Sequence, residues 1–123
     1  MARILIAEDD SDLRLLVSLK LESGGHQVVS VEDGATAAQH CRVMRPDLVI
    51  LDLMMPGMSG LEVCRFIRSD PELVSTPVIL LTARAQEADI AAGRAAGVDA
   101  YLTKPFSPRE LAGQVDSLLG VAR

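Results

Sequence analysis

Where four apolar runs of this chain stop, residues able to do chemistry begin. Ile4-Leu5-Ile6-Ala7 runs into Glu8-Asp9-Asp10, Asp47-Leu48-Val49-Ile50-Leu51 into Asp52, Pro77-Val78-Ile79-Leu80-Leu81 into Thr82, and Ala100-Tyr101-Leu102 into Thr103-Lys104-Pro105. Carboxylates about 4–6 Å apart repel one another, and burial raises their pKa. A cluster of ionised acids therefore needs a counter-charge. Carboxylates with open coordination positions suit Mg2+, a hard cation that takes oxygen ligands and keeps some of its water. Asp10 has an ordinary alternative as the cap of the helix that follows it. Asp52 does not, because it leads into a Met54-Met55-Pro56-Gly57 loop. Of the 12 Lys and Arg residues only Lys20 and Lys104 are lysines. A lysine between a buried strand and a proline points to a need for a compact point charge. Thr82 alone reads as structural. Together these side chains make a phosphoryl site: a nucleophilic carboxylate, acids to hold a metal, a cation and a hydroxyl donor. Phosphoryl transfer asks a protein mainly for positioning and charge neutralisation, and an aspartate can take the group as an acyl phosphate.

The elements that must position these residues alternate along the chain. Short apolar runs at 3–7, 26–31, 47–51, 77–81 and 100–102 read as strands rich in Ile, Val and Leu. Three of them lack polar alternation, the pattern of strands covered on both faces. Helical periods lie between: Leu13, Leu16, Val17 and Leu21, stopped by Gly24-Gly25; Ala37, Cys41 and Met44, ended by Pro46; Leu61, Cys64 and Ile67, ended near Pro71; a weak alanine-rich period around Ile90 that contains Gly93; and Leu111, Val115 and Leu118. Ser107-Pro108-Arg109-Glu110 forms a capping box with proline in the first helical position. A βα unit repeated five times with short connections predicts an α/β doubly wound parallel sheet in one domain, residues 1–123. Function in such sheets gathers beyond the carboxyl ends of the strands, where the polar residues fall.

Composition closes other routes. The chain has 123 residues, is 49% hydrophobic and 24% charged, and carries a net charge of -5, so a basic nucleic-acid face is not expected. Three aromatic residues, Phe66, Tyr101 and Phe106, make no base-stacking platform. No apolar run reaches the roughly 20 residues of a membrane span. The start of the chain runs straight into a strand, so no signal peptide is expected. Cys41 and Cys64 read as reduced thiols, and a cytoplasmic location follows as the expectation.

The stretches Ile4–Asp10, Asp52-Leu53-Met54-Met55-Pro56-Gly57-Met58-Ser59-Gly60, Leu80-Leu81-Thr82-Ala83 and Ala96-Gly97-Val98-Asp99-Ala100-Tyr101-Leu102-Thr103-Lys104-Pro105-Phe106 resemble the receiver domains of two-component response regulators over essentially the whole chain. The resemblance implies a flavodoxin-like sheet of order 2-1-3-4-5. It implies a switch, not an enzyme in the usual sense, in which Asp52 accepts a phosphoryl group from the phosphohistidine of a sensor histidine kinase or histidine phosphotransfer protein. Asp9, Asp52 and the Met54 backbone carbonyl would ligate Mg2+, with Glu8 acting through a water on the metal. Lys104, Thr82 and the Ala83 amide would hold phosphoryl oxygens, and the Lys104–Pro105 bond would be cis. Thr82 would move inward on phosphorylation and Tyr101 would turn from exposed to buried, reshaping the face of the fourth helix, fifth strand and fifth helix toward a target protein or a fused output domain.

Met54 and Arg84 stand two residues past Asp52 and Thr82, positions that border the path of attacking water in such domains. With an apolar residue and a long cation there, loss of the phosphoryl group is expected to be slower than in a variant with a small polar residue at position 54. Three rivals fit less well. An aspartyl phosphatase needs a second acid where Met54 stands. A flavin mononucleotide binder needs a Ser/Thr/Gly-rich loop where Glu8, Asp9 and Asp10 stand. A pseudo-receiver would lack acceptor-site residues that are all present. Two forms remain open: a single-domain regulator of the chemotaxis or phosphorelay type, and a receiver belonging to a longer regulator.

Overall fold

Parallel strands β1 (Arg3–Ala7), β2 (Gln27–Val31), β3 (Leu48–Asp52), β4 (Val78–Thr82) and β5 (Ala100–Thr103) form one five-stranded sheet of order β2-β1-β3-β4-β5. The structure is a computed structural model that describes residues 2–83 and 87–120. Helices α1 (Ser11–Ser23), α2 (Gly34–Met44), α3 (Gly60–Ser69), α4 (Glu87–Ala96) and α5 (Pro108–Leu119) make the crossovers. The expected α/β architecture and strand order are both observed.

All five residues of β3 and of β4 are buried, as strands covered on both faces must be. Side-chain alternation divides the core into two layers. Leu5, Ala7, Val49, Leu51, Val78 and Leu80 pack with Ala37, Cys41, Val63, Cys64 and Ile67 of α2 and α3. Ile4, Ile6, Leu48, Ile50, Ile79 and Leu81 pack with Val17, Leu21, Leu111 and Val115 of α1 and α5.

Strands β3 and β4 begin and end one residue later than the apolar runs predict. Asp47 gives its N–H to the Arg3 carbonyl at 2.8 Å, but its side-chain Oδ2 takes the Arg3 N–H that a ladder would give to a backbone carbonyl, and Pro77 has no N–H to give to a ladder. The shift keeps Asp52 and Thr82 inside the sheet, in register with Leu81 and Thr103. Strand β2 starts at Gln27 because His26 turns its ring inward, where Nδ1 accepts from the Ala2 N–H at 3.2 Å. Leu16 departs from the expected stripe of α1. The helix meets the sheet through Val17 and Leu21, and the adjacent Leu16, about 100° round the helix, is 51% exposed beside Leu15 and Leu19.

Side-chain caps hold the ends of the helices next to the sheet edge. Asp10 caps α1 by accepting from the N–H groups of Asp12 and Leu13, and Asp33 caps α2 through Thr36. The Ser107–Glu110 box on α5 is present as read. A second box, Ser59 with Glu62, starts α3, and Ser-Gly-Leu-Glu is its sequence signature. Gly60 lets that helix approach the site strand closely: a Cβ there would stand 2.5 Å from the Asp52 carbonyl oxygen.

Candidate functional site

Among the described residues the buried polar or charged side chains are Glu8, Asp52 and Thr82, and all three lie at the carboxyl edge of the sheet. Each occupies or directly follows the last position of a central strand, where the ladder ends and helices α1, α3 and α4 turn away. Leu53 N–H still donates to the Leu81 carbonyl at 2.8 Å, and Lys104 N–H donates to the Thr82 carbonyl at 2.7 Å. The backbones that carry Asp52, Thr82 and Lys104 are thus tied together before any side chain is considered.

The side chains converge. Lys104 Nζ stands 2.8 Å from Glu8 Oε1 and 3.2 Å from Asp52 Oδ2, bridging the two acids. One carboxylate oxygen from each of Glu8, Asp9 and Asp52 lies within 4.8 Å of the others. Glu8 is fully enclosed, while Asp9 faces solvent. Glu8 Oε2 accepts from the Asp10 N–H at 3.1 Å. Oε1 is held by the Lys104 ammonium and has no other hydrogen-bond partner among the described residues. The Lys104–Pro105 bond is cis, as expected from the resemblance.

Electrostatics mark the cluster as short of positive charge. Burial pushes the Glu8 carboxyl up to about 7, against the pull of the Lys104 ammonium and the Asp10 N–H, and the neighbouring Asp52 charge adds to the rise. Asp9 lies below the usual carboxylate range, chiefly through its hydrogen bond with the Glu8 carboxyl, which outweighs its own desolvation. For Lys104 burial favours the neutral amine, yet Glu8 and Asp52 outweigh it and hold the pKa above the ordinary lysine value. One ammonium against three carboxyl groups leaves the pocket short of positive charge, with Lys104 shared between Glu8 and Asp52. That donor set of oxygens, partly open through Asp9, fits a hard divalent cation.

The site residues named from the sequence lie at this edge, except Tyr101, which sits further down β5 in register with Leu80, and Arg84, which falls outside the described residues. Met54 follows the strand end with its side chain 64% exposed at the mouth, and Ala83 follows Thr82 at the surface. The Tyr101 ring is half-buried and its hydroxyl donates to the Ile90 carbonyl of α4 at 3.3 Å, so the inward position is already occupied. One contributor went unread: Arg14 Nη1 donates to the Glu8 carbonyl at 2.7 Å, closing the loop below the acids. No spacing rule signals an i, i+6 contact made through a turn. A cavity of about 430 Å3 between the end of α1 and α5 lies at the opposite edge. There His26 is held by Ala2 and faces Asp116 at 3.5 Å, so both ring nitrogens are engaged.

This arrangement, a (βα)5 fold with acids and a lysine at its carboxyl edge, is suited to hold a divalent cation beside a phosphoryl group. The family model described as the response regulator receiver domain matches residues 4–116. The chain belongs to that family, the receiver domains of two-component systems. It is 40% identical over 117 residues to the DNA-binding response regulator MtrA of Mycolicibacterium paratuberculosis, covering 95% of this chain and 51% of MtrA. It is 40% identical over 123 residues to the phosphate regulon transcriptional regulatory protein PhoB of Rhizobium meliloti, covering 100% of this chain and 54% of PhoB. The chain thus spans about half the length of these curated relatives. Among solved structures, the receiver domain of the sensor histidine kinase PA1611 from Pseudomonas aeruginosa superposes with a TM-score of 0.89 at 31% identity, covering 97% of this chain and 98% of that one. That structure holds a magnesium ion in its active-site cleft. The chemotaxis response regulator CheY4 of Vibrio cholerae gives a TM-score of 0.91 at 30% identity over 96% of this chain and 98% of its own. Among the described residues no helix is long and apolar enough to cross a membrane.

Proposed function

We propose that Asp52 is the phospho-acceptor of this receiver and that Glu8, Asp9 and Asp52 assemble the Mg2+ site, within one domain spanning residues 1–123. The observation that carries the reading is the convergence of three carboxylates and the Lys104 ammonium around buried Asp52. Asp9, Asp52 and the Met54 carbonyl would hold the ion directly, with Glu8 acting through a water, as the resemblance implies. The metal, when bound, supplies the positive charge that lets the acids ionise together and neutralises charge on the transferred group.

Asp52 attacks the phosphorus of a phosphohistidine on a sensor kinase or phosphotransfer protein. The P–N bond breaks, an O–P bond to the Asp52 carboxylate forms, and the histidine, protonated beforehand on its other ring nitrogen, departs as neutral imidazole. Lys104 moves from shared neutralisation of Glu8 and Asp52 to a phosphoryl oxygen, while the Thr82 hydroxyl and the Ala83 N–H donate to others. Hydrolysis of the same acyl phosphate resets the switch. Alternation places Thr82 on the face of the sheet that carries Leu80 and Tyr101, one strand from the tyrosine. A Thr82 drawn toward the phosphoryl group therefore changes the packing of Tyr101 and the α4-β5-α5 face. That face acts on a target protein or on an output domain of the kind that makes up the remainder of DNA-binding relatives such as MtrA. The domain itself touches neither nucleic acid nor membrane and works in the cytoplasm.

Incubation with acetyl phosphate, followed by intact mass measurement, tests the assignment. Phosphate is incorporated with Mg2+, lost on chelation and absent from Asp52→Asn. Incorporation into Asp52→Asn, or incorporation indifferent to chelation, overturns it.

A further inference from the structure

Helices α3 and α4 cover the same layer of the sheet by different means. Helix α3 buries Val63, Cys64 and Ile67, whereas among the described side chains of α4 the buried positions are Gly93 and Ala96. The bulk missing from α4 comes from the other side, from Tyr101 of β5. Its hydroxyl donates to the Ile90 carbonyl, one turn before Gly93. A Cβ built at Gly93 would fall on the Tyr101 hydroxyl and Cζ and would lie 2.8 Å from Cε2. These are atoms of a rigid ring, so no local adjustment relieves the overlap, and the whole side chain must swing about χ1.

The backbone does not need glycine at this position. Gly93 is not among the glycines of positive φ, and it lies inside a helix, where glycine costs about 1 kcal/mol relative to alanine. What the missing side chain provides is space, and Tyr101 fills that space. We infer that Gly93 is the positioning residue of the switch: it forms the seat that makes the inward state of Tyr101 available, and a methyl group there holds the ring outward. The inference rests on the Thr82–Tyr101 reading given above and adds the element that receives the ring.

Tyr101 is the sole tyrosine and the chain has no tryptophan, so its intrinsic fluorescence reports on this ring alone. Acrylamide quenching is to be measured on the full chain and on Gly93→Ala, each before and after acetyl phosphate treatment with Mg2+. The expected result is a shielded ring in wild type, a quenching constant at least about twofold higher in Gly93→Ala, and no return of shielding in that variant on phosphorylation. An unchanged quenching constant in Gly93→Ala overturns the seat. Thermal midpoints supply a second, independent measurement through a double-mutant cycle. Gly93→Ala should lower the midpoint in wild type but raise it in the Tyr101→Ala background, where the seat is empty and only helix propensity remains. The same shift in both backgrounds overturns the proposal, including the case where Gly93→Ala merely stabilises α4. Both variants keep Glu8, Asp9, Asp52 and Lys104 and are expected to incorporate phosphate normally. Failure of the switch reading shows separately, as a wild-type quenching constant that phosphorylation leaves unmoved.

Discussion

Ile50 and Asp52 stand two residues apart on β3 and face the same side of the sheet. Ile50 is enclosed by Ile4, Ile6, Ile79 and Leu81, and Asp52 by Glu8, Asp9 and Lys104. Over that distance the strand passes from a dry apolar layer to a pocket where three carboxylates share one ammonium. The interior gains free energy from every atom it covers. The edge holds Glu8 fully buried with its carboxyl pushed up to about 7 and one ammonium shared with Asp52. Such an arrangement persists only because the strands beneath over-determine where the acids stand. The interior stabilises the fold, and the edge holds like charges in place for a cation and a phosphoryl group.

The sharpest way to break that comparison is to cut the interior. Ile50→Ala removes a fully buried side chain from between α1, α5 and three strands and is expected to cost about 2–5 kcal/mol in urea denaturation. At temperatures where the variant remains folded, it should still incorporate phosphate at Asp52, since none of the site side chains has changed. A loss of less than about 1 kcal/mol would mean that the layer collapses freely and does not brace the edge.

The strands were legible because nothing else explains uninterrupted Ile, Val and Leu, and the site was legible because each run ends in a residue that a buried strand would otherwise avoid. Lys104 was legible by contrast with an arginine-rich surface. Side-chain detail was not. Period alone put Leu16 on the buried stripe, but which 100° of a helix faces the sheet is decided by tertiary packing. The seated Tyr101 was equally hidden, because the vacancy that receives it lies on α4, eight residues earlier, and reads in sequence only as a weak helix. Arg14 serves Glu8 through a turn whose geometry the spacing does not encode.

The edge answers to pH and metal where the interior does not. The folded pKa of Glu8, about 7, lies above its ordinary value of 4.5, so the folded protein holds the proton more tightly than the unfolded chain. Stability from this group is therefore intact at low pH, falls as pH rises from about 4.5 to 7, and stays reduced above that. Glu8→Gln keeps the shape, removes the buried charge and leaves Lys104 paired with Asp52. At pH 8 without metal it is expected to be more stable than wild type by about 1–3 kcal/mol, and close to equal at pH 5. Mg2+ should raise the thermal midpoint of wild type more at pH 8 than at pH 5, because a cation favours the ionised form. A Glu8→Gln variant less stable than wild type at pH 8 would show that the Lys104 contact outweighs desolvation, and the contrast between edge and interior would shrink to one of shape.

The smallest expected effect lies at the mouth of the edge. Met54 is 64% exposed just past Asp52, so replacing it should leave stability within about 0.5 kcal/mol. Its thioether is a weak acceptor and cannot donate, whereas asparagine offers both a carbonyl and an amide to a water approaching the aspartyl phosphate. Orienting the water should speed phosphate loss in Met54→Asn by roughly 3–10-fold, a barrier change near 1 kcal/mol. The measurement is phosphate release from acetyl-phosphate-labelled protein after removal of the donor, compared between wild type and variant. Equal rates would mean that the exposed methionine does not line the water's path, and that the lifetime is set deeper in the pocket, at the buried residues Thr82 and Glu8.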